Sequence, residues 1–188
     1  MGKRVYLIVG LGNPGPEYRR HRHNAGFMVG EELTGRHALG ALQNRFHGLV
    51  AEGQIAEAPV VLLLPLTYMN LSGKSVAEAA RHYRVKAADI LVIHDDVELP
   101  FGEVRLKEGQ GLGGHNGLRS LEQYLGTRDF WRVRVGVGRP LREDVPLVDY
   151  VLAPFDEPEE EVKALISKAA DLVEEWLRIR SCGNASSD

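Results

Sequence analysis

The sequence predicts a single α/β domain, a twisted mixed β-sheet with helices packed on both faces. Short apolar runs closed by turn residues, at 5–9, 60–64 and 90–93, have the length and composition of buried strands. Segments with apolar residues at helical spacing lie between them, so strands and helices alternate. The chain has 188 residues, within the range of one domain and ample for a sizeable core.

Taken in order, 5–9 (VYLIV) ends at Gly10 and opens a glycine-rich polar turn. A helix is expected over 27–37, after that turn. Residues 54–57 form a weaker strand beside the apolar run 60–64. Over 71–83, Val76, Ala79, Ala80 and Tyr83 recur at helical spacing, and over 116–125 Leu118, Leu121 and Leu125 do the same. Residues 103–106 and 132–137 alternate polar with apolar, as half-exposed strands do. The last helix has a start signal in Asp156 as N-cap, Pro158 in the first turn and Glu159 completing a capping box. Val162, Leu165, Ile166, Ala169, Val173, Trp176 and Leu177 then form one apolar stripe. The domain is expected to run over 1–180, with 181–188, small and polar, as a disordered tail.

Apolar residues make up 44% of the chain, with no apolar run near the length that crosses a bilayer and no basic-then-apolar leader, which points to a cytoplasmic location. The single cysteine, Cys182, cannot form a disulfide within the chain, as expected in a reducing compartment. A net charge of -3 hides an uneven distribution. From Arg105 to Arg142 eight Lys/Arg face three Asp/Glu, whereas from Glu143 to Asp188 four face twelve. The basic window is read as a surface for a polyanion, since phosphate contacts need local rather than total positive charge.

Gly10 to Gly15 satisfies G-x-G-x-x-G directly after a strand, which raises a dinucleotide fold. Its context argues against that reading. A dinucleotide site needs a helix opening at the turn, but Pro14 and Pro16 stand there, and 17–23 has no apolar stripe. The acidic residue due about twenty positions on would be Glu31 or Glu32, inside a helix rather than at the end of a second strand.

Polar clusters follow three apolar strands: Asn13 to His23, Tyr68-Met69-Asn70, and His94-Asp95-Asp96. In open α/β sheets such strand ends converge on one crevice. A fourth cluster, His115-Asn116 after GQGLGG, opens a helix that can face the same place. A histidine with a carboxylate on its other nitrogen is the minimum for activating water, and His23 with Asp95 is the natural pair. Taken singly, His23 reads equally as an exposed loop histidine and Asp95 as a turn or cap aspartate. No G-x-S-x-G elbow is present, and Ser72 and Ser75 sit in a helix-opening stretch, so water is the expected nucleophile. Asn13, Asn70 and Asn116 offer donors and acceptors that bracket an amide-bearing substrate, or else serve as turn residues. Tyr68 stacks on a base or packs in the core.

The segments GLGNPGPEYRRHRHNAGF, PLTYMNLSGKS, ILVIHDDVELPFGEVRLK and GLGGHNGLRSL, in this order and at these intervals, resemble bacterial peptidyl-tRNA hydrolases, nearly to Phe155. The resemblance implies hydrolysis of the ester between a peptide and the terminal ribose of tRNA, by a monomer without metal, cofactor or obligate protein partner. It implies that His23 activates water, that Asp95 stabilises its proton-accepting form, and that Asn13 helps tell N-blocked from free aminoacyl groups. By the same resemblance Asn70 and Asn116 hold the peptide main chain and the tRNA end, Tyr18 and Tyr68 bind beside them, and Lys107 and Arg134 clamp tRNA phosphate. The family usually carries Phe where Tyr68 stands, and past Arg139 the match weakens, so the loop 140–149 has no assigned role. Asn13 is expected to accept a hydrogen bond from a neutral peptide N–H through its amide oxygen, where a free ammonium would add a desolvation cost. Two other readings remain at this level. His21, His23, His94, Asp95 and Asp96 contain enough ligand types for a metal-dependent hydrolase, and a catalytically silent relative would bind structured RNA through the basic surface.

Overall fold

A computed structural model describes residues 4–185. Seven strands form one sheet, with helices on both faces. In chain order the elements are β1 (Tyr6–Gly10), α1 (Ala25–His37), β2 (Gln43–Arg45), β3 (Gly48–Ile55), β4 (Ala58–Pro65), α2 (Ser72–Tyr83), β5 (Ile90–Asp96), β6 (Val104–Glu108), α3 (Asn116–Leu125), β7 (Trp131–Gly136), α4 (Leu147–Val151) and α5 (Glu159–Ala185). The sheet order is β2-β3-β4-β1-β5-β7-β6. β4, β1, β5 and β7 run parallel at its centre, and β2, β3 and β6 pair antiparallel at its edges.

The central strands are apolar throughout because both faces are covered. Tyr6 and Ile8 of β1, with Leu91 and Ile93 of β5, pack beneath α1 and α5. Leu7 and Val9, with Val92, turn the other way, beneath α2 and α3. The stripe expected on the last helix closes the first of these cores: Leu165, Ala169, Val173, Trp176 and Leu177 are all buried, and the Trp176 ring meets Tyr6 edge to face at 5.7 Å. Each fully buried leucine or valine contributes about 1.5–3 kcal/mol relative to exposure, so α5 is held by its stripe rather than by helix propensity.

The ends of that helix differ from expectation. Asp156 does not open it; its carboxylate takes the Arg22 guanidinium at 2.9 Å, and the helix begins at Glu159, with the Pro158 carbonyl accepting from Glu161 and Val162 N–H. A partner distant in the sequence, rather than the helix end, takes this carboxylate. The tail expected to be disordered from 181 is helical through Ala185, and residues 186–188 lie outside the described residues. Side-chain bonds hold its last turns: Arg180 reaches Asp89, and the Ser181 hydroxyl donates to the Ala56 and Arg178 carbonyls. Polar composition at 181–188 carries no trace of these distant partners.

The glycine-rich stretch after β1 serves close backbone crossing. A Cβ at Gly26 would stand 2.4 Å from the Ile93 carbonyl oxygen and from Leu11 N. Without one, the first turn of α1 rests on the C-terminal ends of β1 and β5, and the residues just before that turn hang over the end of the sheet.

Candidate active site

The C-terminal ends of β1, β4 and β5, the start of α3 and the side of α4 enclose a groove of about 400 Å³. Asn13, His23, Tyr68, Asn70, Asp95 and Asn116 all line it, as do His94 and His115. Tyr18 stands outside the lining but touches it through Tyr68, ring centroids 6.3 Å apart. The four polar clusters of the sequence therefore meet in one place.

His23 and Asp95, 72 positions apart in the chain, are in contact: His23 Nδ1 lies 2.9 Å from Asp95 Oδ2 and 3.0 Å from Oδ1. His23 sits in a single helical turn, Arg22–Asn24, immediately before α1. Asp95 is near the end of β5, buried. A carboxylate against Nδ1 places the proton there and leaves the Nε2 lone pair for the groove. Burial by itself lowers the pKa of His23, but the charge and hydrogen bond of Asp95 outweigh it and hold the pKa above the ordinary value of 6.5. Burial likewise disfavours the Asp95 anion, yet the charge and hydrogen bonds at His23 and His115 keep its pKa far below the usual carboxylate range.

The second histidine on Asp95 was not foreseen as such. His115 Nε2 lies 2.9 Å from Asp95 Oδ1, while its Nδ1 accepts the N–H of Gly117 at 3.0 Å and of Leu118 at 3.4 Å. Two backbone donors on Nδ1 leave the proton on Nε2, so His115 donates to the carboxylate and caps α3 at once. Its place beside Asn116 and before an apolar helical stripe was the available signal. Gly117 makes the docking possible, since a Cβ there would be 2.6 Å from Met69 Sδ. His94 is buried beneath this pair. Its Nδ1 donates to the Asp95 carbonyl at 2.8 Å, its ring meets His115 edge to face, and burial, with His115 alongside, pushes its pKa down to about 4.

This geometry bears on the metal reading. Among the described residues, His23, Asp95 and His115 form a group whose ligand atoms lie within 4.8 Å of one another. His115 Nε2 carries a proton in the tautomer its backbone donors impose, so it has no lone pair for an ion, and the donor set does not fit one as it stands. His21 is turned away from the group and packs on Tyr18 at 5.5 Å.

Asn13 is held more tightly than a turn residue requires. Asn24 Oδ1 accepts its N–H at 2.9 Å and Asn24 Nδ2 donates to its carbonyl at 3.0 Å, a reciprocal pair that extends β1 beyond its end. The Asn13 amide oxygen, expected to take a substrate N–H, instead accepts the N–H of Met69 at 2.7 Å. A backbone donor settles which atom points that way, and the amide NH2 is left for the groove. Met69 follows Tyr68, which is half exposed and adopts a left-handed φ of 65°, uncommon for a bulky side chain. Replacing Asn13 with aspartate should retain the acceptor for Met69 and lose the donor, lowering kcat about 10²- to 10³-fold with the fold intact. Replacing it with alanine should in addition leave the buried Met69 N–H unpaired, at a cost of about 1–3 kcal/mol. Thermal unfolding and kinetics of the two variants check this, and an Asn13→Asp enzyme as active as wild type would refute the donor role.

Of the expected phosphate-binding residues, Arg134 touches the groove lining through Asp96, and Lys107 lies on the neighbouring edge strand β6. Arg105 pairs across the strands with Arg134, and Lys107 with Arg132, so all four share one face of β6 and β7. Arg134 is already engaged, its Nε donating to Asp96 Oδ2 at 2.7 Å. Part of the charge assigned to it is thus matched within the protein, and Arg105 is paired in turn with Glu103 at 3.4 Å, which leaves Lys107 the freer cation. Arg132 is buried and donates to the carbonyls of Gln110 and Arg128, tying down the glycine-rich loop before His115. Helix α4, which begins in the stretch without an assigned role, and Leu152 just after it supply an apolar wall with Leu147, Val148 and Val151.

A family profile described as Peptidyl-tRNA hydrolase matches residues 7–187. Similar proteins include the peptidyl-tRNA hydrolases of Geobacter sulfurreducens, 53% identical over 174 residues (91% of this chain, 88% of the relative), and of Geobacter metallireducens, 51% identical over 173 residues (92% and 88%). The crystal structure of peptidyl-tRNA hydrolase from Acinetobacter baumannii superposes with a TM-score of 0.83 at 39% identity, covering 96% of this chain and 92% of that one.

Proposed function

This chain belongs to the peptidyl-tRNA hydrolase family, and from that membership we propose that the groove hydrolyses its substrate with His23 as general base, Asp95 as the group that orients and stabilises it, and asparagine amides as donors to the developing oxyanion. The enzyme cleaves the ester between a peptide and tRNA. The observation that carries the mechanism is the 2.9 Å contact between His23 Nδ1 and the Asp95 carboxylate on the groove lining.

His23 Nε2 takes a proton from water as the water oxygen bonds to the ester carbonyl carbon. The carbonyl oxygen becomes an anion, to which the NH2 groups of Asn13, Asn70 and Asn116 donate. Collapse re-forms the carbonyl and breaks the bond to the ribose oxygen, which receives the proton now on His23. The products are a peptide carboxylic acid, which ionises by releasing its proton to solvent, and a tRNA whose terminal hydroxyl is restored. An ester needs less leaving-group assistance than an amide, so one base, one carboxylate and amide donors are sufficient.

Selectivity for N-blocked substrates follows from the free end of Asn13. A blocked residue carries one more carbonyl, which accepts from the Asn13 NH2, whereas a free ammonium presents only donors and loses its hydration there. Lys107, Arg105 and the unshared nitrogens of Arg134 are read as the phosphate-binding face, with Tyr18 and Tyr68 beside the acceptor end. The chain is read as a monomer acting without an obligate protein partner, since the groove carries the base, its carboxylate and the amide donors together. The single cysteine, Cys182, is free and exposed, which supports a reducing, cytoplasmic setting, and no helix among the described residues is long and apolar enough to cross a membrane. Release of tRNA from N-acetyl-aminoacyl-tRNA and from its unblocked counterpart, each with and without a strong chelator, tests the proposal. Turnover of the blocked substrate alone, unchanged by chelator, is expected. Equal turnover of both overturns the selectivity argument, and chelator-sensitive turnover overturns the metal-free mechanism.

A further inference from the structure

Arg22, the residue before His23, is a buried charge that the mechanism above does not use. It is only 2% exposed, and its carboxylate partner, Asp156, has a side chain that is 91% exposed, so solvent screens the ion pair. Most of its contacts are to a short stretch of chain instead. Arg22 Nη1 donates to the Tyr150 carbonyl at 2.9 Å, the guanidinium lies 3.8 Å from the centre of the Tyr150 ring, and Arg22 N–H donates to the Ala153 carbonyl at 3.0 Å. Next to it, His21 and Pro154 form an antiparallel bridge. Tyr150 is itself anchored, its hydroxyl donating to the Val137 carbonyl just after β7.

Tyr150 lies in α4, the helix whose Leu147, Val148 and Val151 form the apolar wall of the groove. One guanidinium thus joins that wall to the turn carrying His23. As a plain structural tie it is a poor choice: a buried arginine is costly, its Nε has no partner among the described residues, and apolar replacements of buried ions are often no less stable. What a planar cation stacked on an aromatic ring does supply is a defined distance and angle between two segments.

We propose that Arg22 is a positioning residue for hydrolysis, setting the His23 turn against the α4 wall so that the base meets a substrate lying on that wall. The proposal rests on His23 being the base. The guanidinium bonds to Tyr150, Ala153 and Asp156 and turns away from the His23 ring, so its action is geometric rather than electrostatic.

The test is kinetics on N-acetyl-aminoacyl-tRNA with pH profiles. Arg22→Met is expected to lower kcat about 10- to 100-fold, as a misplaced catalytic group does, with KM changed less than about threefold and the acid limb of the profile unmoved. Tyr150→Leu should lower kcat likewise, Tyr150→Phe should recover most of that loss by restoring the ring, and Arg22→Met with Tyr150→Leu should lose little more than either alone. A folded Arg22→Met enzyme with wild-type kcat, a loss confined to KM, a shifted acid limb, or losses that multiply in the double variant would each overturn it. Should Arg22→Met not fold, the Tyr150 pair decides alone. Wild-type turnover by a His23→Asn enzyme would instead remove the base assignment, a result separable from any of these.

Discussion

His23→Asn is expected to lower kcat by about 10²–10⁴-fold, the usual contribution of a positioned general base, or about 3–5.5 kcal/mol of transition-state stabilisation. The replacement keeps an amide donor near the place of Nδ1 for Asp95, so a buried carboxylate is not stranded and the fold persists. KM should change little, because the lost lone pair acts on water rather than on bound substrate. Single-turnover release of tRNA from N-acetyl-aminoacyl-tRNA, alongside the thermal midpoint, separates chemistry from folding. A well-folded variant that hydrolyses at the wild-type rate would end the mechanism proposed for this groove.

Asp95→Asn should cost as much in kcat and shift the pH profile as well. Asp95 accepts from His23 Nδ1 and from His115 Nε2. An asparagine offers one oxygen and one NH2, so one of the two histidines must face a donor. His115 is locked by the backbone donors on its other nitrogen, which leaves His23 to change tautomer and move its proton to Nε2, where the lone pair was needed. A comparable tautomer error in the serine-protease triad costs about 10⁴ in kcat, and about 10²–10⁴ is expected here. In the wild type the His23 pKa is raised above 6.5 and the base works only when neutral, so activity should rise with pH through a limb above that value. Without the anion, burial alone acts on His23 and lowers its pKa, so the limb should move toward acid. A pH profile of kcat/KM for Asp95→Asn that superposes on the wild type, at undiminished kcat, contradicts the pairing.

Much of this site was legible before folding because it is written in contiguous segments. A strand end followed by a polar cluster occurs three times, and parallel strands carry their C-terminal ends to one side of the sheet, so Asn13, Asn70 and Asp95 had to meet. His23 came with them because glycine at 26 lets its turn cross the strand ends. The direction of each polar atom was not legible. Nothing local shows that the Asn13 oxygen faces Met69, that Arg134 is shared with Asp96, or that Asp156 serves Arg22 instead of capping α5, since each partner is distant in sequence and close only after folding. Helix α4 was missed for another reason: it is five residues long, too short for a periodic pattern, and its apolar side chains face a groove instead of a core.

By itself the sequence determined the strand and helix periodicities, the two apolar faces they generate, and the family resemblance carried by its glycine, histidine and asparagine motifs. Tertiary structure alone decided that one carboxylate sits between two imidazoles, which proton each ring keeps, and which basic side chains are matched by a carboxylate within the chain. The division is physical. Backbone propensity and apolar burial act on patterns a few residues long, whereas a hydrogen bond between buried polar atoms depends on angstrom-scale placement that only the packed chain imposes.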